Sequence, residues 1–210
     1  MEKAVRTVFS PWESEKIIER SRFIAYSAHV ECEEAARAFI AEIRSKHTLA
    51  THVCFAFIAD KLGNLQRFSD DGEPQGTAGV PILEVLKNKK LFETVVAVVR
   101  YFGGVKLGAG GLVRAYSSCA AENLDGADIR VLEVCAEYVI SVEYTGIDGV
   151  QKYLSSHTCT LLSTDYGERV AFKIAVKKAE EGAFIAGLVD HMQGKVETER
   201  GAEYYAPFEE

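Results

Sequence analysis

Arg100, Lys106 and Arg114 stand within one short stretch that also carries Gly103, Gly104, Gly108, Gly110 and Gly111. Glycine accepts positive φ and lets a ligand come close to the backbone. A helix opening from such a loop presents unpaired N–H groups and the positive end of its dipole to an anion. The cations and the glycines together suit phosphate. Tyr101, Phe102 and Tyr116 beside them suit stacking on unpaired bases; core burial of Phe102 and Tyr116 is the alternative, and for Phe102 it is favoured. Neither G-x-G-x-x-G nor G-x-x-x-x-G-K-[ST] occurs, so the stretch is not a dinucleotide fingerprint or a P-loop. Glycines that only make tight turns are the plainer alternative.

A second group of chemically capable residues lies upstream. Asp70, Asp71 and Glu73 supply carboxylate oxygens of the kind a hard cation takes, but no further ligands are spaced as a cage requires. The same S-D-D-G-E-P is good turn chemistry. Pairing of these carboxylates with Arg100, Lys106 or Arg114 is the reading favoured here, and it would fix the glycine loop in place. His52 and Cys54 are two apart on an expected strand, so they share a face. A Cys–His pair can make a thiolate nucleophile, but buried neighbours of this kind are common without chemistry. His52 is better placed to hydrogen-bond near the acidic turn. Thr51 and Thr77 are hydroxyls with no activating partner in sight.

These residues need elements to hold them. Val95–Val99 is a short β-branched run that reads as a buried strand, surfacing at Arg100. Upstream, strands are expected over Val5–Phe9 and Phe23–Val30, with a break at Ser10-Pro11. A helix is expected over Glu31–His47 with Ala36, Phe39, Ile40 and Ile43 as its apolar stripe, followed by a hairpin of His52–Ala59 and Leu65–Phe68 around Gly63-Asn64. A short helix carries Ile82, Leu83, Val85 and Leu86, and a longer one runs from Leu112 to Leu124. The glycine segment before it is read as loop, and residues 125–128 as a linker.

Beyond residue 136 the alternation of Tyr138–Tyr144, the helical face of Ile147–Leu154, the β-prone run 158–163, the alternation of Val170–Val176, and the helix Phe184–Met192 with Gly194 as its cap lead to a short strand at Val196. The order βαββαβ is a ferredoxin-like unit. Residues 201–210 are expected to be loose. Arg169, Lys173 and Lys177 recur on the polar side of their strand, as a solvated sheet face would have them. The fold class is α+β in two domains, 1–130 and 131–210.

Charge divides along the same line. The chain of 210 residues carries a formal −7, but residues 1–130 hold 17 basic and 17 acidic side chains, and the excess acid lies beyond them. Five cysteines without a close pair fit a reducing compartment rather than a disulfide framework. The N-terminus lacks a signal-peptide core and no apolar run is long enough to span a bilayer. A cytoplasmic protein without membrane contact is expected.

SDDGEPQGTAG (69–79) and RYFGGVKLGAGGLVRAY (100–116) together resemble the signature of the IMPACT/YigZ family, and SRFIA (21–25) and ATHVCFAF (50–57) match its flanking pattern. Val53 stands where that family commonly has Asn. The resemblance is close over about 20–125 and looser over 136–200. It implies a first domain of the ribosomal-protein-S-five second-domain type, followed by a ferredoxin-like domain similar to the last domain of elongation factor G. Eukaryotic relatives regulate translational stress signalling by binding a general-control activator protein. Bacterial relatives of this two-domain layout have no assigned activity.

The resemblance therefore implies a translation-associated protein that binds RNA or the ribosome. The expected anion- and RNA-binding residues are Arg100, Gly103, Gly104, Lys106, Gly108, Gly110, Gly111, Arg114 and Tyr116. Asp70, Asp71, Glu73, His52 and Thr77 support them. No catalytic residue, metal, cofactor or DNA sequence-reading role is assigned. A protein-interaction adaptor, or a metal-assisted phosphoester hydrolase built on the acidic turn with His52, is the alternative.

Overall fold

The computed structural model describes residues 4–208. The chain divides into two compact units, Val5–Arg130 and the chain from Val131 onward. The first contains β1 (Val5–Val8), β2 (Trp12–Ile18), β3 (Ser21–His29), α1 (Glu33–Lys46), β4 (His52–Ile58), β5 (Gln66–Ser69), α2 (Gly79–Asn88), β6 (Thr94–Tyr101) and α3 (Gly108–Gly126). Five of its strands form an antiparallel sheet in the order β2-β3-β6-β4-β5.

The uncharged run of β6 occupies the centre of that sheet because both of its faces are covered. Val96 and Val98 pack with Ile82, Leu86, Leu112 and Ala120 of α2 and α3. Val95, Ala97 and Val99 face the other way, toward Ile40 and Ile43 of α1. α1 has the expected stripe, although Phe39 is only partly buried. Acidic Glu33 and Glu34 stand in its first turn and Arg44 and Lys46 in its last, each sign suited to its end of the dipole. The Cys32 thiol caps it by accepting from the Ala35 N–H at 3.5 Å.

β2 was not expected from the sequence. Its outer face carries Glu13, Glu15 and Ile17, and it joins β3 through Glu19 and Arg20, both at positive φ. A strand at a sheet edge with one solvated face has charges where a central strand has valines. The glycine segment differs too: α3 begins at Gly108, not at Leu112, so Gly108, Gly110 and Gly111 are helical residues rather than loop. α3 runs on to Gly126, which leaves Ala127 and Asp128 before the next strand.

The second unit is built on β7 (Ile129–Val142), a 3-10 turn (Tyr144–Gly146), α4 (Ile147–Ser155), β8 (Thr160–Tyr166), β9 (Val170–Lys177), α5 (Glu181–His191) and β10 (Glu197–Pro207). Its strands are antiparallel in the order β10-β7-β9-β8, the ferredoxin-like arrangement. Ile140, Phe172 and Ile174 meet Val150, Phe184 and Leu188 of the two helices in its core. Gly194, at φ +75°, ends α5 by donating to the Val189 carbonyl at 2.9 Å. The loose tail expected from residue 201 is instead strand β10 as far as Pro207, paired with β7 through a bulge after Arg200; Glu209 and Glu210 lie outside the described residues. Among the described residues no helix is long and apolar enough to cross a membrane.

Candidate functional site

Strand parity decides the fate of Arg100. It shares a face of β6 with Val96 and Val98, so its side chain enters the α2–α3 core rather than solvent. There its Nη1 donates to Glu73 Oε1 at 2.7 Å, with the two side chains 5% and 4% exposed. Nη2 reaches Ser21 Oγ at 3.3 Å, and the guanidinium lies 5.4 Å from the Phe23 ring centroid. Tyr116, fully buried, donates its hydroxyl to the same Glu73 oxygen at 2.8 Å, and burial pushes its pKa upward. Arg100 and Tyr116 are therefore interior residues and do not face a ligand. The expected pairing of an acidic-turn carboxylate with a cation holds for Glu73 and Arg100 but not for Lys106 or Arg114. Phe102, expected in the core, is 47% exposed.

The acidic turn closes on itself. Asp70 accepts from the N–H groups of Gly76, Ala78 and Gly79 at 2.8, 3.0 and 2.8 Å, placing a carboxylate at the start of α2. Burial pushes its pKa up, but these donors outweigh burial and hold it below the usual carboxylate value. Asp71 receives Arg44 at 2.7 Å and the Val53 N–H at 2.6 Å. The three carboxylates thus turn to three separate sets of partners instead of one shared point. Among the described residues no group of three His, Cys, Asp or Glu side chains is arranged to hold a metal ion.

Thr77 is buried and donates to the Pro74 carbonyl at 2.6 Å. His52 takes the hydrogen-bonding role expected of it: Nδ1–H donates to the Asp71 carbonyl at 2.8 Å, which leaves Nε2 3.9 Å from Glu73. Cys54 donates to the Asp70 carbonyl, and burial pushes its thiol up to about 12, far from thiolate at neutral pH.

What remains open is the start of α3. At Gly103 any Cβ would lie 2.0 Å from the Arg20 carbonyl oxygen, so only glycine lets this segment pass the β2–β3 turn. Gly104 and Gly108 take φ of +86° and +69°. No side chain caps the N-terminus of α3. Lys106 and Arg114 are exposed and, among the described residues, have no ion-pair partner. Beside them is an open depression of about 630 Å³ lined by Ile18, Val105, Lys106, Leu107, Arg114 and Ser118, together with Lys16, Glu19, Gly111 and Ala115. Lys16, Ile18 and Ser118 escaped the sequence reading. The first two sit on the unexpected β2, and a lone serine on a helix gives no signal by itself.

Residues 19–124 match the Impact N-terminal domain, and residues 140–195 match a domain of unknown function (DUF1949). IMPACT family member YvyE of Bacillus subtilis is 38% identical over 195 residues, 93% of this chain and 90% of that protein. The chain belongs to the IMPACT family. The IMPACT family member YigZ of Escherichia coli is 36% identical over 182 residues, covering 86% of this chain and 89% of its own. The protein IMPACT homolog of Saccharomyces cerevisiae is 32% identical over 105 residues, 48% of this chain and 41% of that protein. A crystal structure of a hypothetical protein superposes with a TM-score of 0.63 at 33% identity, covering 94% and 97% of the two chains. The Impact N-terminal match takes in the acidic turn, Arg100 and the start of α3, whereas Lys16 and Ile18 of the depression lie just before it.

Proposed function

We propose that this IMPACT family protein is a translation-associated RNA-binding protein that holds RNA phosphate at the start of α3. The observation that carries the reading is the pair Lys106 and Arg114, exposed and unpaired among the described residues beside an uncapped helix N-terminus. The N–H groups of the first turn and the helix dipole favour an anion there, and the two cations neutralise it and its neighbour. Gly103, Gly104 and Gly108 shape the approach. Arg100, Glu73 and Tyr116 support from below by fixing the α2–α3 core, with Asp70, Asp71, His52 and Thr77 bracing the neighbouring turn. With a formal charge of −7, the chain as a whole repels nucleic acid, so affinity has to come from this local exception.

The test is titration of single-stranded and structured RNA across salt concentrations. Affinity is expected to fall with a log–log slope of about −0.7 per phosphate contacted on a single strand. Lys106→Ala/Arg114→Ala is expected to weaken all sequences alike and to flatten that slope, with circular dichroism unchanged. Equal binding by wild type and the double variant, or no binding by wild type at low salt, would overturn the reading.

A further inference from the structure

Phosphate binding alone does not account for the depression beside α3. A bare phosphate needs donors and cations, yet Ile18, Val105 and Leu107 give this depression a half-buried apolar floor, while Lys106 and Arg114 stand exposed at its rim. Its volume of about 630 Å³ falls in the range of roughly 300–1,000 Å³ typical of small-molecule sites. Ser118 Oγ donates to the Ala115 carbonyl at 3.1 Å, which leaves its lone pairs to accept from a ligand. Lys16 already binds Glu122, so the uncommitted cations are Lys106 and Arg114, two positive charges against the single Glu19 carboxylate in the same lining.

Resting on the RNA reading, we propose that this depression receives one unpaired nucleotide. The base lies on Ile18, Val105 and Leu107, the Arg114 guanidinium is available to stack on it, and the phosphate sits at Lys106 and the first turn of α3. Ser118 accepts from a ribose hydroxyl or an exocyclic amine. A base within a duplex has both faces stacked and cannot enter, so the site selects a strand end, a loop or a free nucleotide.

The experiment titrates the full-length protein with adenosine 5′-monophosphate, ribose 5-phosphate, a single-stranded hexanucleotide and the same hexanucleotide in duplex. The monophosphate is expected to bind about tenfold tighter than ribose 5-phosphate, the difference one base stack supplies. The hexanucleotide should displace it, and the duplex should not. Ser118→Trp fills the depression while keeping both cations, and is expected to lose the monophosphate and weaken the hexanucleotide about tenfold. Equal binding of the monophosphate and ribose 5-phosphate overturns the inference, as does a folded Ser118→Trp that binds the hexanucleotide like wild type. The RNA reading survives both results if hexanucleotide binding still needs Lys106 and Arg114. Monophosphate binding without any RNA binding keeps the nucleotide site and sinks the RNA reading. Should Ser118→Trp fail to fold, the comparison of the two small ligands on wild type decides.

Discussion

Glu73 receives two donors on one oxygen, Arg100 Nη1 and the Tyr116 hydroxyl, in an interior from which water is excluded. Such a pair adds little net stability against an apolar replacement of the same shape, but removing one member strands the other's charge. Glu73→Ala is therefore expected to destabilise by about 3–5 kcal/mol in urea unfolding, and Glu73→Leu/Arg100→Met to recover most of that loss. A Glu73→Ala protein as stable as wild type would show that the pair is not buried as described. Part of this was legible. The sequence suggested that the acidic turn pairs with a nearby cation, but the strand was expected to surface at Arg100, and its parity with Val96 and Val98, which turns it inward, was passed over. For Tyr116 a core position was only one of two open readings, because a tyrosine beside basic residues has the same local pattern whether it stacks on a base or fills the interior.

α2 and α3 solve the same end problem in opposite ways. The start of α2 carries its own anion, the Asp70 carboxylate, whereas α3 has no side-chain cap. Because the Asp70 pKa is depressed in the fold, its stabilisation is present above the ordinary value of 3.8 and is lost as pH falls through the lower folded value. Asp70→Asn is thus expected to be less stable than wild type at neutral pH, with the gap closing in acid below 3.8; a gap independent of pH would remove the charge from the explanation. In α3, a Cβ at Gly110 would meet no atom within 4 Å. Gly110→Ala should raise stability by about 0.5 kcal/mol through helix propensity while lowering RNA affinity by crowding the phosphate. Loss of both, or gain of both, would contradict the placement of the ligand.

Across the whole molecule, cations differ by whether they are already neutralised. Lys173 pairs with Glu137 at 3.0 Å, Lys177 with Glu133 at 2.8 Å, and Arg169 with Glu143 and Glu197. Lys173→Ala/Lys177→Ala is accordingly expected to leave RNA affinity unchanged in the same titrations that detect Lys106→Ala/Arg114→Ala; a comparable loss would move the binding surface to the second unit. The βαββαβ order could be read from alternation because Tyr138, Ile140 and Val142 face a core while their neighbours do not. What escaped was β2 and the part of β10 beyond residue 200, and the two share a cause. Both lie at sheet edges with many charged residues, and their pairing depends on partners far along the chain: Glu13 with Tyr26, and Tyr204 with Cys135.

Gly108, Gly110 and Gly111 make the first turn of α3 the part of that helix least favoured by its own residues. Its backbone amides should trade protons with deuterated solvent sooner than those near Cys119 and Ala120, which lie in the core. An occupant at that end would slow the exchange there and leave the rest of α3 unchanged. The glycines thereby turn one helical turn into an occupancy reporter that needs no label and no prior choice of molecule, so fractions from a cell extract can be screened against it directly.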